Sequence, residues 1–196
     1  MKKILLTVIL IFIASCFSTL YSKTFINDTE FNDEDKNFPS HLRNKVVGNN
    51  VFETKSKVAS TKYYEKAIKG IKDDFLSLSR LSLIYSYKGV PEISLYYGSN
   101  ALSIYNSLPP EKKGRIYTIN YIELLVGLSV SYSLLMNEPM AYTYLDEAKT
   151  KLKSLQNFQQ DYKKGEELIN YAESFYKKTF YKINTKTNTK TILNTK

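Results

Sequence analysis

Few residues in this chain have the types and spacing that chemistry requires. Its 196 residues include one cysteine, Cys16, and one histidine, His41. This excludes a disulfide framework, a Cys/His zinc cage and any site that needs two histidines. The sequence also lacks a glycine-rich phosphate loop and a nucleophile elbow. We therefore expect no metal site and no cofactor, and His41 has no predictable acid or nucleophile beside it.

Glu123 has the most unusual setting of the acidic residues. It is the only charged residue in the apolar segment 119–136. A carboxyl group in an apolar wall can have a raised pKa and act as a general acid, as in muramidases, which would make the chain a helical cell-wall enzyme. The reading that we favour is that Glu123 faces a groove or pairs with a lysine. Asn120, Ser129 and other polar residues of the segment favour a buried central helix over a membrane span.

The N-terminus has the order of a secretory signal peptide. Lys2 and Lys3 precede an apolar run over residues 4–13, and two small residues follow. The run is about half of the roughly 20 residues that a spanning helix needs, so residues 1–15 predict a signal peptide and export. Ile13-Ala14-Ser15-Cys16 resembles the lipobox of bacterial lipoproteins, which implies lipidation of Cys16. Ordinary cleavage near Ser22, which would discard Cys16, is the alternative.

Charge is unevenly placed in a chain whose net charge is +9. Residues 28–35 contain five acids and no base, and residues 16–54 are predicted to be a polar, largely disordered tether. Residues 177–196 contain six lysines and no acid. Residues 182–196 therefore form a basic low-complexity tail that could touch anionic lipid or cell-wall polymer but is expected to be solvated. For an exported protein, nucleic acid is not an expected partner.

Residues 55–181 are predicted to be all-helical. Apolar and aromatic residues recur at spacings of three and four, and seven Gly and five Pro leave few turns for a sandwich or barrel. The turn signals predict helices over residues 55–71, 74–87, 91–107, 111–136, 139–155 and 159–181. The 17 tyrosines include the pairs Tyr63-Tyr64, Tyr96-Tyr97 and Tyr142/Tyr144, which suggest a ligand surface. Tyrosines on packed helices are more often core residues with solvated hydroxyls.

Small and large residues recur in the same order on successive helices. Three second-helix patterns align, and two first-helix patterns align with an offset of 47 residues. The second-helix sets are Ser60, Tyr64, Ala67; Ser94, Gly98, Ala101; and Ala141, Leu145, Ala148. The first-helix sets are Leu78, Leu81, Ser82, Tyr85; and Leu125, Leu128, Ser129, Tyr132. Both helices of the unit therefore repeat in phase.

These patterns resemble the tetratricopeptide repeat, whose unit is a 34-residue helix hairpin. The resemblance covers residues 57–155 and implies an all-α stack of antiparallel helix hairpins, with residues 159–181 as a capping helix. It departs from the family pattern where Leu78 and Leu125 replace the expected aromatic, and where Gly98 replaces a large residue. A plain antiparallel helical bundle is the alternative.

The resemblance implies a scaffold that binds another envelope protein or peptide, not an enzyme. First helices of such arrays line a concave groove, and its positions carry over to nine residues: Leu76, Ser79, Leu83, Ser86, Tyr87, Glu123, Val126, Val130 and Ser133. We expect them to accept an amphipathic helix or apolar segment, with Tyr87 as an anchor and Glu123 attracting a basic side chain. Alternatively, the chain's own N-terminal segment or C-terminal tail fills this groove.

We expect the chain to be exported across the inner membrane and to be a membrane-anchored lipoprotein that faces the periplasm or cell surface. A soluble periplasmic or secreted protein is the alternative. A structural surface lipoprotein is a third functional class. The sequence does not predict an oligomeric state.

Overall fold

The computed structural model describes residues 39–193, without the side chains of residues 115–116 and 182–193. This part of the chain is all-helical and contains no strand, which confirms the predicted all-α class. The α-helices are α1 (Ser40–Thr54), α2 (Thr61–Gly70), α3 (Phe75–Tyr87), α4 (Pro91–Ser107), α5 (Arg115–Leu134), α6 (Glu138–Lys153) and α7 (Gln159–Leu193). A short 3₁₀ helix (Pro110–Lys112) precedes α5.

Helix α1 corrects the predicted tether, which was expected to extend to residue 54. Residues 40–54 are helical, and Gly48, Val51 and Phe52 are buried on one side. Its weak amphipathic pattern gave no clear helical signal, and packing against α2 supplies what the local sequence lacks. Residues 16–38, including Cys16, lie outside the described residues. At the other end, the backbone of α7 continues as a helix to Leu193, through much of the predicted tail.

The turns after α3 and α5 have the same geometry at positions 47 residues apart. Gly89 has φ 71° and Met136 has φ 58°. The amide of Val90 donates to the carbonyl of Tyr85, and the amide of Asn137 donates to that of Tyr132, at 3.0 and 2.9 Å. Both turns are Schellman-type caps, which place one residue in the left-handed region.

The helices pack as neighbouring hairpins. Helix α1 packs against α2, α3 against α4, and α5 against α6. Helix α5 also packs against α3 and α4, and α7 packs against α5 and α6. Each hairpin therefore covers the preceding one, and one buried cluster extends from Phe52 to Phe180.

The positions aligned by sequence occupy equivalent places in this packing. All nine aligned second-helix residues are buried. Ser94 Oγ donates to the carbonyl of Ser82 at 2.7 Å, and 47 residues later Ser129 Oγ donates to the carbonyl of Ala141 at 2.8 Å. Hydrogen bonds at positions 47 residues apart thus join the two helices of each hairpin, although the hydroxyl is on the second helix in one and the first helix in the other.

Helices α3 and α5 approach each other closely at Gly127. A Cβ atom there would lie 2.9 Å from the Cα atom of Leu83. Only hydrogen fits at this position, so the two backbones meet directly. No helix in the described part of the chain is both long and apolar enough to cross a membrane.

Candidate functional site

The nine residues of the predicted groove do not form an open surface in the described structure. Seven of them are buried, and Leu76 and Tyr87 are half-buried. Leu83 and Val130 lie in the hydrophobic core. These residues pack one hairpin onto the next, so the described surface offers no open binding groove along them.

Helix α7 provides the contacts that were expected of a partner. Lys164 Nζ lies 2.9 Å from Glu123 Oε1, and the Tyr171 ring contacts the Tyr87 ring edge to face at 4.8 Å. Leu168, Ile169 and Ala172 are buried on the same helix. An amphipathic helix with a lysine on Glu123 and an aromatic ring on Tyr87 is therefore present, but it belongs to the chain itself.

A buried charged network lies beside this contact, with Arg80 at its centre. Arg80 Nε donates to Glu123 Oε2 at 3.1 Å, and its Nη2 donates to Glu53 Oε1 at 2.6 Å. Its Nη1 donates to Tyr64 Oη and to Asn49 Oδ1, at 2.8 and 3.0 Å. Helices α1, α2, α3 and α5 are thus joined by one guanidinium group, whose planar fork of donors suits this role.

Lys164 extends the network to α7. Its Nζ also lies 2.7 Å from Glu53 Oε1, so Glu53 and Glu123 share two cations. The guanidinium carbon of Arg80 stands 4.3 Å from the centre of the Phe52 ring, which covers it. Two positive and two negative groups balance, which makes the burial of charge tolerable in this core.

The electrostatics contradict a general-acid setting for Glu123. Burial alone would raise the pKa of this carboxyl group, but the charges of Arg80 and Lys164 outweigh it, and the pKa is lowered. Burial alone would lower the pKa of Arg80, whereas its interactions with Glu123 and Tyr64 raise that pKa. Glu123 therefore stays ionised at neutral pH and holds no proton to donate. The expected pairing with a lysine is present, with Arg80 as a second partner.

The network was missed in the sequence because Arg80 was overlooked. It is the one charged residue of α3, as Glu123 is of residues 119–136. Two lone opposite charges in neighbouring apolar helices are a signal of a buried pair, because each would be costly to bury alone. Sequence offered no comparable signal for Glu53, whose helix was not expected.

Two open clefts are lined mainly by residues of the second helices. The first has a volume of about 670 Å³ between α2 and α4. Its residues include Tyr96, Tyr97 and Asn100 from α4, with Lys69 near the end of α2 and Lys72 just beyond it. Glu65, which also lines the cleft, accepts a hydrogen bond from Tyr85 Oη at 2.6 Å, and this hydrogen bond with burial raises the pKa of Tyr85 to about 12.

A second cleft of about 380 Å³ lies between α4 and α6. Leu95, Leu102, Tyr132 and Tyr144 line it, and the rings of Tyr132 and Tyr144 stack at 5.6 Å. Tyr96 borders both clefts and is 64% exposed. The two clefts are therefore neighbours on either side of α4, with one exposed aromatic ring between them.

The tyrosine pairs noted in the sequence divide between core and surface. Tyr64 is buried in the Arg80 network, whereas Tyr96 and Tyr142 are exposed. Tyr97 and Tyr144 occupy equivalent positions, each beside a first-helix tyrosine, at 5.8 Å from Tyr85 and 5.6 Å from Tyr132. Part of the tyrosine set thus belongs to a surface, which the sequence alone did not assign.

A third cleft of about 380 Å³ is lined by Lys45, Asp74, Leu108 and Tyr117 among others. Lys45 Nζ donates to Asp74 Oδ1 at 2.6 Å, so its principal charges are already paired. Among the described side chains, no three His, Cys, Asp or Glu residues converge on a possible metal position. No protein-family model, curated protein or solved structure matches the chain.

Proposed function

We propose that this chain is an exported scaffold of the bacterial envelope that binds a partner protein through the two clefts beside α4. The observation that carries the proposal is the pair of neighbouring clefts joined at Tyr96, on a face that the rest of the described chain leaves open. No cofactor is part of the proposal.

The in-register hairpins support a tetratricopeptide-like architecture. Equivalent hydrogen bonds join residues 82 and 94 in one hairpin and residues 129 and 141 in the next. Equivalent caps with a left-handed residue end both first helices. We infer that α7 has the place of a first helix without a partner and caps the stack, because it packs against both helices of the last hairpin.

The location of the proposed surface differs from the location expected for the family. The first-helix face is covered by α7 and held by the Arg80 network, so binding there would require displacement of α7. Binding on the second-helix face displaces none of the described helices. An exposed tyrosine beside preformed clefts offers a large rigid contact area and a polar hydroxyl, which are properties of binding hot spots.

The lining favours an extended polypeptide segment. Tyrosine rings and Leu95 provide apolar contacts, while Asn100 and Ser103 in the first cleft and Ser99 in the second provide hydrogen-bonding groups. A segment that crosses α4 could place one side chain in each cleft and its backbone over Tyr96. Such a mixture of aromatic and polar groups is typical of peptide-binding surfaces.

The test is capture of the partner by crosslinking in intact cells, followed by membrane isolation. Tyr96→Ser should lower the yield of the crosslinked partner at least tenfold, because truncation of a hot-spot tyrosine costs about 2 kcal/mol. Tyr181→Ser is the matched control, since Tyr181 is 61% exposed and lines none of the three clefts. Equal capture by both variants and the unaltered chain would remove this face from the site.

The anchor is a separate part of the proposal. Cys16 is expected to carry lipid, and Cys16→Ala should release the protein into the soluble exported fraction. Labelling with a fatty-acid probe checks this directly. An unlabelled chain would favour cleavage near Ser22 and a soluble periplasmic or secreted protein, without affecting the proposed binding face.

A further inference from the structure

We propose that the chain's own acidic segment, residues 24–38, docks in the cleft between α2 and α4. This inference uses the cleft of the proposed function but requires no partner protein. It rests on three observations: the position at which the described chain begins, the charges around the cleft, and the composition of the segment.

The described chain begins beside this cleft. Helix α1 starts at Ser40, and a Cβ atom on Gly70 would lie 2.4 Å from His41 Cβ, so the start of α1 packs on the end of α2. Lys69 and Lys72, on either side of Gly70, line the cleft. The described chain therefore begins within a few residues of the cleft wall.

The length of the segment is sufficient. Phe31 lies eight residues before Pro39, which allows a reach of about 26 Å in an extended chain. Along α4, the cleft extends from Tyr96 to Ile104, which is about 12 Å at the rise of an α-helix. The segment can therefore cross the whole cleft without displacing any helix.

The charges are complementary. Residues 24–38 contain five acids and one lysine. The cleft lining includes Lys69 and Lys72 together with Glu65 and Asp73. Helix α2 also carries Lys62 and Lys66, and the turn after it contains Asp74. Among the described residues, Lys66, Lys69 and Lys72 form no ion pair. Glu65 keeps its charge while it accepts a hydrogen bond from the Tyr85 hydroxyl, and Asp74 is paired with Lys45. The four lysines of α2 and its turn therefore outnumber the two remaining acids, Glu65 and Asp73.

The third cleft does not offer the same match. Its charged residues are Lys45, Asp73 and Asp74, and Lys45 is already paired with Asp74. An acidic segment would be repelled there. Phe25, Phe31 and Phe38 supply apolar side chains that suit the tyrosine-lined wall of the first cleft. Such docking would keep the cleft occupied until a partner with higher affinity displaces the segment.

The experiment places a benzophenone photo-crosslinking amino acid at Phe31 in the full chain. After irradiation of purified protein at low concentration, mass spectrometry should locate the crosslinks within the same chain, on residues 65–72 and 96–104. Asp33→Asn combined with Glu34→Gln and Asp35→Asn should lower this yield about tenfold, because three charge pairs are lost. These substitutions lie outside the folded helices described above.

Lys69→Glu combined with Lys72→Glu should lower the yield similarly. The matched control is Lys153→Glu combined with Lys178→Glu, two exposed lysines that line none of the clefts. If the first pair fails to fold by circular dichroism, the neutralised segment provides the decisive comparison.

Three outcomes would overturn the proposal: crosslinks spread over the surface, a yield unaffected by neutralising the segment, or crosslinks only between chains that disappear on dilution. The last would indicate docking on a second copy. Partner capture through Tyr96 is measured separately, so a failure here leaves the proposed function standing. Conversely, the photo-crosslink forms in purified protein without a partner, so a failure to capture a partner through Tyr96 would not affect it.

Discussion

The substitution Gly127→Ala tests how α3 and α5 are packed. An added Cβ atom would lie 2.9 Å from both the Cα and the backbone nitrogen of Leu83, and 3.1 Å from the carbonyl carbon of Ser82. These atoms belong to the backbone of a buried helix, so no side-chain rotation can relieve the contact. The two helices must separate.

The sign of the effect depends on two opposing contributions. Alanine is favoured over glycine within a helix by about 1 kcal/mol, which would stabilise α5. Overpacking costs about 1–3 kcal/mol, and contact with backbone atoms places this case at the upper end. We expect a net loss of about 1–2 kcal/mol, or roughly 2–8 °C in Tm for a protein of this size. Separation would also lengthen the 3.1 Å contact between Arg80 and Glu123, which spans the same interface.

The assay is thermal and urea unfolding monitored by circular dichroism. Gly114→Ala is the matched control, because nothing lies within 4 Å of its added Cβ atom and its φ of −73° suits alanine. The control should stay within about 0.5 kcal/mol of the unaltered chain. If Gly127→Ala melts at or above the temperature of the control, helix propensity outweighs packing and the close approach of α3 and α5 is wrong.

Three further predictions test the core and the turns. Glu123→Gln should destabilise the fold by about 3 kcal/mol at pH 7, because it leaves buried cations unbalanced. Because the pKa of Glu123 is lowered in the folded state, this carboxylate stabilises the fold above its ordinary pKa of 4.5 and loses that effect as the pH falls through the lower folded-state pKa. The variant should therefore lose less stability on acidification than the unaltered chain. Urea melts that show the same dependence on acid pH for both proteins would contradict the pairing. Ala148→Leu should lower the free energy of unfolding by about 1–3 kcal/mol through overpacking, whereas Leu in place of exposed Thr150 should have little effect. Equal melting temperatures for the two variants would refute the assigned helix register. Met136→Gly should stabilise by about 1 kcal/mol and Gly89→Ala should destabilise by a similar amount, because both residues have positive φ; thermal shifts of the same sign would show that the two turns differ.

Much of the helical framework could be predicted from local sequence. The predicted helix over residues 91–107 matches α4, and Pro91 begins it, where its missing N–H leaves no hydrogen bond unmade. Asn137 accepts a hydrogen bond from the amide of Met140 and caps α6, which begins at Glu138, one residue before the predicted start. These boundaries depend on proline geometry and capping, which are properties of a few neighbouring residues. The helix predicted over residues 55–71 is shorter, because a turn precedes Thr61.

The candidate site was less predictable. Glu123 could be singled out from the sequence because it is the only charged residue in an apolar segment. Its partners could not, because Arg80 and Lys164 lie 43 and 41 residues away in the chain. The predicted groove positions were assigned from a repeat pattern that identifies the inner face of a helix. The same pattern cannot indicate whether another helix covers that face.

The all-α class, the turns and the small residues at which helices meet follow from local sequence, because each depends on backbone preferences or on the size of one side chain. Tertiary structure alone decided that α1 forms, that α7 covers Glu123, and that the clefts open beside Tyr96. These features depend on contacts between residues far apart in the chain. A weakly amphipathic helix such as α1 is stable only when another surface buries Phe52, and a tyrosine becomes exposed or buried according to which helix packs over it.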